Sequence, residues 1–591
     1  MSTTSAPPYA PAYAHWVLPS VDASQVDALT KTAGVPPAVA SLLLQRGIMD
    51  DAAAAQFLHP ALDHLLDPYA LHGMSAAVAR IQQAITAREP ILIYGDYDVD
   101  GTTAIVLLKT AIEILGGTVR YHIPHRLRDG YGMQAEVLTR AAAEGVRLVI
   151  SVDTGIRAFA AAEEAARLSL DLIVTDHHLP EAAMGLPHAL AILNPNQPAC
   201  TYPCKHLCGA GVAFKLAQAL LEAPVASWRA DAQRVREKLL PSFLKMLVIA
   251  TVADAVPLLG ENRVIASLGM DGLRRPVNVG LRALLEVAQL DPARRPLTAS
   301  DIGFRIGPRI NAAGRMDVAS DVVELFTTRD PDRARTLAQK LDQLNSDRRA
   351  AENAVLEQID IMLADGTIDR QGCLVIDGED WHRGVLGILA SRVVERTGHP
   401  ALVLSHEDGE AHGSGRSIPG FHLLEALESC HDVFVRYGGH THAVGFSLES
   451  ARVPELRERL LQHSAAKLTP QVLARRLDCS AELPLREINI AFYQALRLLE
   501  PYGMGNEEPV FIARNLILDT PPQTMKDEHI RMRVRDEHTV MKALGWRWAE
   551  RVRALALDQG SRIDLAYRLR VNEHPDFGGL ELEIVDVKQP H

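Results

Sequence analysis

The sequence predicts an α/β protein built from a doubly wound parallel-sheet domain, a long connecting helix, a second and smaller α/β domain, and a C-terminal β domain. Three patterns carry that expectation. From about residue 88 short apolar runs alternate with Ala-rich stretches; between about 330 and 365 apolar residues recur at steps of three and four; beyond about 470 short segments alternate apolar and polar side chains. At 591 residues the chain is too long for one core, so about three or four domains of roughly 150 residues are expected.

Residues 1–87 form an N-terminal segment whose Ala/Pro-rich start carries no functional signal. Met1–Pro19 lacks the basic and apolar regions of a secretory leader. The domain at 88–325 holds the strand-like runs Ile91–Tyr94, Val119–Ile123, Leu148–Val152, Leu172–Thr175 and Ala189–Leu193, separated by segments such as Ala141–Glu144 and Ala160–Leu168. From about Ser227 to Val256 the pattern lengthens and becomes helical. In the connecting helix, 326–366, apolar Leu337, Leu341, Leu344, Val355, Ile359 and Met362 fall on one face and join two lobes. The second α/β domain, 367–465, includes Cys373–Ile376 and Ala401–Leu404, and the β domain, 466–591, includes Ile530–Val534 and Leu580–Ile584. Lys245 and Asp254 interrupt the apolar stretch Leu244–Leu259, so no run of about 18 uncharged apolar residues occurs and the chain is expected to be cytoplasmic, away from membranes.

A net charge of −12 argues against a surface coated with cations for a polyanion, so any such site must be local. Six cysteines in so long a chain do not make a disulfide framework. Cys200, Cys204 and Cys208, with His206 among them, are either a zinc site of unusual spacing or ordinary reduced thiols.

The chemistry-bearing residues lie where the strand runs stop. Ile91–Tyr94 leads directly into Gly95-Asp-Tyr-Asp-Val-Asp-Gly101 and a helix-compatible stretch, Thr102–Leu115. Asp96, Asp98 and Asp100 therefore sit just past a strand, where open α/β sheets place their ligand crevice. Such close like charges need cations, or pKa values raised enough to leave some protonated. A calcium loop would need Glu at its twelfth position, where Leu107 stands. Two further runs end alike, one in Asp153 and one in Asp176-His177-His178. Asp254, in an apolar segment, either caps a helix or meets a cation. Carboxylates with one or two imidazoles suit two Mn²⁺ or Mg²⁺ ions, and phosphoester or phosphoanhydride hydrolysis is the chemistry such a pair serves.

In this order, Asp96-x-Asp98-x-Asp100-Gly, Asp153-Thr-Gly, Asp176-His-His178 and Asp254 resemble the motifs of the DHH phosphoesterase superfamily. The resemblance implies that Asp98, Asp100, Asp153, His177 and Asp254 bind metal and that His178 contacts the scissile phosphate. Tyr94 stands where the pyrophosphatase branch has His, and Asp96 would substitute as a ligand, as in the RecJ branch. Arg305-Ile-Gly-Pro-Arg309-Ile-Asn-Ala-Ala-Gly-Arg315, Trp381-His-Arg-Gly-Val-Leu-Gly-Ile388, Gly413-Ser-Gly-Arg416-Ser and Gly438-Gly-His440-Thr-His-Ala-Val-Gly445 look like the RecJ exonuclease family, including its DHHA1 domain. That likeness implies an OB-type C-terminal domain and a single-stranded-DNA-specific 5′→3′ exonuclease acting in recombination and repair. It further implies a monomer whose channel between lobes admits one strand, partnered by a single-stranded-DNA-binding protein and a RecQ-type helicase.

The residues themselves agree with a polyanion substrate. Arg305, Arg309 and Arg315 make a basic cluster, and Ser414 with Arg416 in a Gly-rich segment suits a terminal phosphate. By resemblance Arg126, Arg309, Arg315, Ser414, Arg416 and His440 line the DNA path. Arg126 is otherwise a solvated surface residue, and Trp381 either a core aromatic or a base-stacking platform. Two other readings remain: a DHH hydrolase of dinucleotides or short oligonucleotides, and a non-catalytic DNA-binding relative of the Cdc45 type.

Overall fold

A computed structural model describes residues 13, 15–126, 132–223, 232–316, 319–368, 371–572, 574 and 578–590. Most of the Ala/Pro-rich start, Ser227, and Leu127 and Arg128 beside Arg126 lie outside the described residues. The chain divides into two compact units, one made of Ile48–Ser346 with Arg497–Glu508, the other of Met1–Gly47, Asp347–Leu496 and Pro509–His591.

The first, the parallel-sheet unit, runs α1 (Met74–Ala87), β1 (Pro90–Gly95), α2 (Val99–Ile114), β2 (Thr118–His122), α3 (Ala135–Ala143), β3 (Leu148–Val152), α4 (Phe159–Arg167), β4 (Asp171–Thr175), β5 (Ala191–Leu193), α5 (Gly209–Glu222), α6 (Leu240–Ala253), α7 (Gly260–Gly272) and α8 (Gly307–Met316). Its sheet has the order β2-β1-β3-β4-β5, every pair parallel. Side chains alternate across a strand. Accordingly Ile91, Ile93, Leu148, Ile150 and Ile173 pack with α1, α2, α5 and α6, while Leu92, Tyr94, Val149, Leu172 and Val174 pack with α3 and α4. Helices on both faces make the sheet doubly wound, with the order reversing between β1 and β3; ligands bind outside the carboxyl ends of strands at such a point.

Buried charge also fixes this unit. Arg263 of α7 is 2% exposed, stacks 3.6 Å over Phe57, and donates to the carbonyls of Phe57, Leu498, Leu499 and Glu500 at 2.6, 2.8, 2.9 and 3.2 Å. Lys215 and Glu261, both fully buried, pair at 2.8 Å, with the Tyr202 hydroxyl donating to the same carboxylate.

Helix α9 (Pro331–Ala364) carries the chain onward. The mixed-sheet unit then adds β6 (Leu374–Glu379), α10 (Leu386–Thr397), β7 (Ala401–Glu407), β8 (Glu410–Arg416), β9 (Arg436–His440), β10 (Ala443–Glu449) and α11 (Val453–Ala465). The sheet order is β9-β10-β8-β7-β6, with only β6–β7 parallel. Trp381 is 5% exposed and its indole donates to Gln358, which makes it a core aromatic rather than a base platform.

The last strands are β11 (Phe511–Leu518), β12 (His529–Arg535), β13 (Val540–Gly545), β14 (Arg562–Asn572) and β15 (Gly579–Lys588), with helix α12 (Ala549–Ala554) after β13. They pair in the order β11-β14-β15-β13-β12, and β12 pairs again with β11, which closes a five-stranded barrel of OB type. The N-terminal strand His15–Val17 pairs with Arg476–Asp478, and Trp16 Nε1 donates to Asp586 of β15 at 2.8 Å. Among the described residues no helix is long and apolar enough to cross a membrane.

Candidate metal centre

At the reversal of strand order the chain leaves β1 through Asp96 and Asp98. Helix α2 starts at Val99, three residues earlier than the apolar pattern suggests, because the Asp98 carboxylate caps it by accepting from Gly101 N–H at 3.0 Å. Gly101 is required there: a Cβ would lie 2.6–2.7 Å from the Asp96 backbone. Asp100, in the first helical turn, points its carboxylate at the start of α5, where the N–H groups of Gly209 and Ala210 donate at 2.6 and 2.8 Å. The positive end of α5 thus holds an anion, as helix N-termini do.

Asp153 follows β3 in the left-handed region at φ 57°, a strained state for a residue with a Cβ. It packs so closely on α5 that a Cβ at Gly209 would sit 2.4 Å from its Oδ1. After β4, Asp176 is 1% exposed and accepts from the N–H groups of Ile156, His177 and His178 and from His178 Nδ1, the last at 2.8 Å. Asp254 is the C-terminal cap residue of α6, so it does not serve as the N-cap that an isolated Asp commonly provides.

These residues converge. His177 Nε2 lies 3.3 Å from Asp153 Oδ1 and 3.9 Å from both Asp100 Oδ2 and Asp254 Oδ2. Asp96, Asp98 and Asp153 form one group with ligand atoms within 4.8 Å of one another; Asp100, His177 and Asp254 form a second, and Asp153, His177 and His178 a third. A cavity of about 370 Å³ is lined by Asp96, Asp98, Asp153, His177, His178 and Asp254, together with Tyr97, Asn311, Arg126 and Arg315.

The electrostatics are those of a site that needs cations. Two like charges 4 Å apart repel by about 4 kcal/mol at an effective dielectric of 20. Burial first, then the neighbouring carboxylates, push Asp96 up to about 7 and Asp254 up to about 9, and raise Asp98 and Asp153 as well. Burial lowers the pKa of His177, whereas in His178 the same burial is outweighed by the hydrogen bond and charge of Asp176. Among the described residues the buried Asp96 Oδ1 and Asp153 Oδ1 have no hydrogen-bond donor. Unsatisfied carboxylate oxygens beside an imidazole whose pKa burial lowers fit hard divalent cations.

Arg126 and Arg315 reach this cavity, and Arg126 lies 5.2 Å over the Tyr97 ring. The structure does not bring Arg309 there: Asp342 and the Arg305 carbonyl hold its guanidinium at 2.8 and 2.6 Å. Ser414, Arg416 and His440 belong to the mixed-sheet unit. Arg416 donates to Ser414 Oγ at 3.3 Å, and both approach Gly387 of α10, where a Cβ would stand 3.1–3.2 Å away. His440 falls in the same cross-strand row as Arg416, through Ala443. Cys200, Cys204, Cys208 and His206 do not converge into a metal group among the described residues.

Sequence reasoning passed over Asn311, whose Oδ1 accepts from Val99 N–H at 3.1 Å, and the amides of Gly209 and Ala210. Signals for both exist: a lone Asn among Ile310, Ala312 and Ala313, and a Gly-Ala-Gly opening a helix.

Three family models match the chain: the DHH family N-terminal domain over residues 90–251, the DHHA1 domain over 370–466, and the RecJ OB domain over 479–586. The chain is 36% identical to the single-stranded-DNA-specific exonuclease RecJ of Bacillus subtilis, over 94% of this chain and 69% of that one. It is 37% identical to the protein of that name from Dickeya dadantii, covering 91% and 94%. The crystal structure of RecJ in complex with Mn²⁺ from Thermus thermophilus superposes with a TM-score of 0.81 and 28% identity, covering 98% of this chain and 80% of that one.

Proposed function

Because this chain belongs to the RecJ family, we propose that it is a metal-dependent exonuclease that hydrolyses single-stranded DNA from its 5′ end, in recombination and repair. One observation carries the chemistry: Asp96, Asp98, Asp153, His177 and Asp254 line a single cavity with Arg126, Arg315 and His178, and Asp100 joins His177 and Asp254 in one ligand group. The six would hold two Mn²⁺ or Mg²⁺ ions, which supply an activated water and neutralise charge building on the phosphoryl group.

The chain's own residues do the rest. Arg126 and Arg315 hold the non-bridging oxygens of the scissile phosphate through their guanidinium forks. His178, held through Nδ1 by Asp176, whose hydrogen bond and charge raise its pKa against burial, donates from Nε2 to an oxygen of that phosphate as its charge develops. Asn311 keeps the Asp96–Asp100 loop in register. Ser414, Arg416 and His440 take the terminal 5′-phosphate; the 5′ polarity is supported by the family resemblance and by the anion-binding character of this trio. Exposed Arg531 and Arg533 on β12, on the barrel face that OB domains use, extend the track for the strand.

We assign catalysis to residues 88–325, the connector to 326–366, the DHHA1 domain to 367–465 and the OB domain to 466–591, and infer a cytoplasmic monomer that works with a single-stranded-DNA-binding protein and a RecQ-type helicase. Digestion of end-labelled single-stranded and duplex DNA tests the function. Manganese-dependent shortening of single strands from the 5′ end, blocked by chelator and absent with Asp98→Ala, is expected. Unchanged digestion by a folded Asp98→Ala variant would reject the site.

A further inference from the structure

The mixed-sheet unit carries a second recess, of about 490 Å³, that the reading above does not use; its lining includes Arg383, His412, Arg436, Gly445, Ser447 and Glu410. Its place follows from register. Gly445 pairs with Ser414 and with Gly438, and Ser447 pairs with His412 and with Arg436. Because side chains two apart share a face, His412, Ser414 and Arg416 line one side of β8, and the row His412–Ser447–Arg436 lies beyond the row Ser414–Gly445–Gly438. From Arg416 to His412 the strand rises about 13 Å, four residues at roughly 3.3 Å each.

The floor between the rows is bare, since a Cβ at Gly438 or Gly445 would meet nothing within 4 Å. Around it stand two guanidiniums with weak commitments. Among the described residues Arg383 pairs with Glu407 alone, at 3.8 Å and with both side chains about half exposed, and such pairs contribute little. Among the described residues the Arg436 side chain forms no hydrogen bond or ion pair. The one carboxylate in the lining, Glu410, sits 3.5 Å from His412.

We propose that this recess binds a second phosphate of the DNA strand, a phosphodiester two or more nucleotides away from the phosphate at Ser414 and Arg416. Arg383 and Arg436 supply the charge, His412 and Ser447 supply polar contacts, and the Gly438–Gly445 floor lets the sugar-phosphate chain pass close to the sheet. The proposal rests on the exonuclease reading and deepens it, because it makes grip on the substrate depend on strand length.

The test uses the full chain in chelator, with 5′-phosphorylated, 3′-fluorescein oligothymidylates of 2, 4, 8 and 12 nucleotides followed by anisotropy. Arg436→Ala and Arg383→Ala should each weaken binding of the longer strands about 3- to 10-fold while leaving the dinucleotide unchanged. The dependence of log K on log salt should become shallower by about 0.7 per lost contact. Arg436→Lys, which keeps the charge, should recover most of the affinity, and thymidine monophosphate should compete no better against wild type than against the variants. Wild-type affinity across the series, or equal losses on the dinucleotide and the 12-mer, would overturn the proposal while leaving the nuclease assignment standing. A wild-type chain that neither binds nor cuts single strands would overturn both.

Discussion

Replacing Gly209 by alanine should cripple the centre without removing any ligand. The added Cβ would lie 2.4 Å from Asp153 Oδ1, 2.5 Å from its Cβ and 2.6 Å from its Cγ. Carbon atoms in contact sit about 3.5 Å apart, so one partner must retreat by roughly 1 Å. Asp153 is 2% exposed and already in a left-handed backbone state, which leaves it little room. If α5 retreats instead, Asp100 loses the amides of Gly209 and Ala210. Misplacing a catalytic group by about 1 Å costs on the order of 10²-fold, equivalent to about 2.7 kcal/mol of transition-state stabilisation. The assay is kcat/KM on a labelled single strand across a manganese titration, with manganese affinity measured by calorimetry. Gly303→Ala is the control, since nothing lies within 4 Å of a Cβ there. Activity within about threefold of wild type, with unaltered manganese affinity, would refute the claim that this close contact sets the ligand geometry.

Three other outcomes follow. Asp176→Asn removes the charge that raises the His178 pKa; kcat/KM at neutral pH should fall by about 10²-fold and the alkaline limb of the pH profile should move to lower pH, while an unmoved limb would separate His178 from proton donation. In the metal-free protein Asp96 and Asp254 have folded pKa values above their unfolded ones, so the folded state binds more protons and stability should fall as pH rises from about 4, through about 7 for Asp96 and about 9 for Asp254. Urea unfolding in chelator should show that decline, and manganese should stabilise progressively more as pH rises; a flat metal-free profile would contradict the burial of these groups. Lys215→Met should destabilise by about 3–5 kcal/mol because Glu261 is left charged and buried, with Lys215→Met/Glu261→Gln recovering part of the loss in the same urea titration.

The parallel sheet was legible because strands buried on both faces read as unbroken apolar runs, and Leu148–Val152 begins and ends where the pattern places it. The long helix was equally legible, its three-and-four stepping extending over Pro331–Ala364. Most ligand-type residues were legible because they follow strands, whereas Asp254, which ends helix α6, was legible as a lone carboxylate in an apolar segment. Pairings across long stretches of chain were not. Nothing in sequence tells Arg309 that Asp342 will sit opposite it, so a structural arginine resembles a substrate arginine. The amides that hold Asp100 come from 109 and 110 residues away. Alternation likewise identifies Ile530–Val534, within β12, as a strand without saying that β12 pairs with β11 and closes the barrel.

The order in which the chain enters its two units has a consequence for synthesis. Ile48–Ser346 emerge from the ribosome about 150 residues ahead of Arg497–Glu508, an interval of roughly 8 to 30 s at 5–20 residues per second. Throughout it Arg263 lacks the carbonyls of Leu498, Leu499 and Glu500, and Trp16 precedes its acceptor Asp586 by 570 residues. From Arg263 to Glu500 the chain therefore grows with that guanidinium short of its last acceptors, and Trp16 stands without Asp586 for longer still.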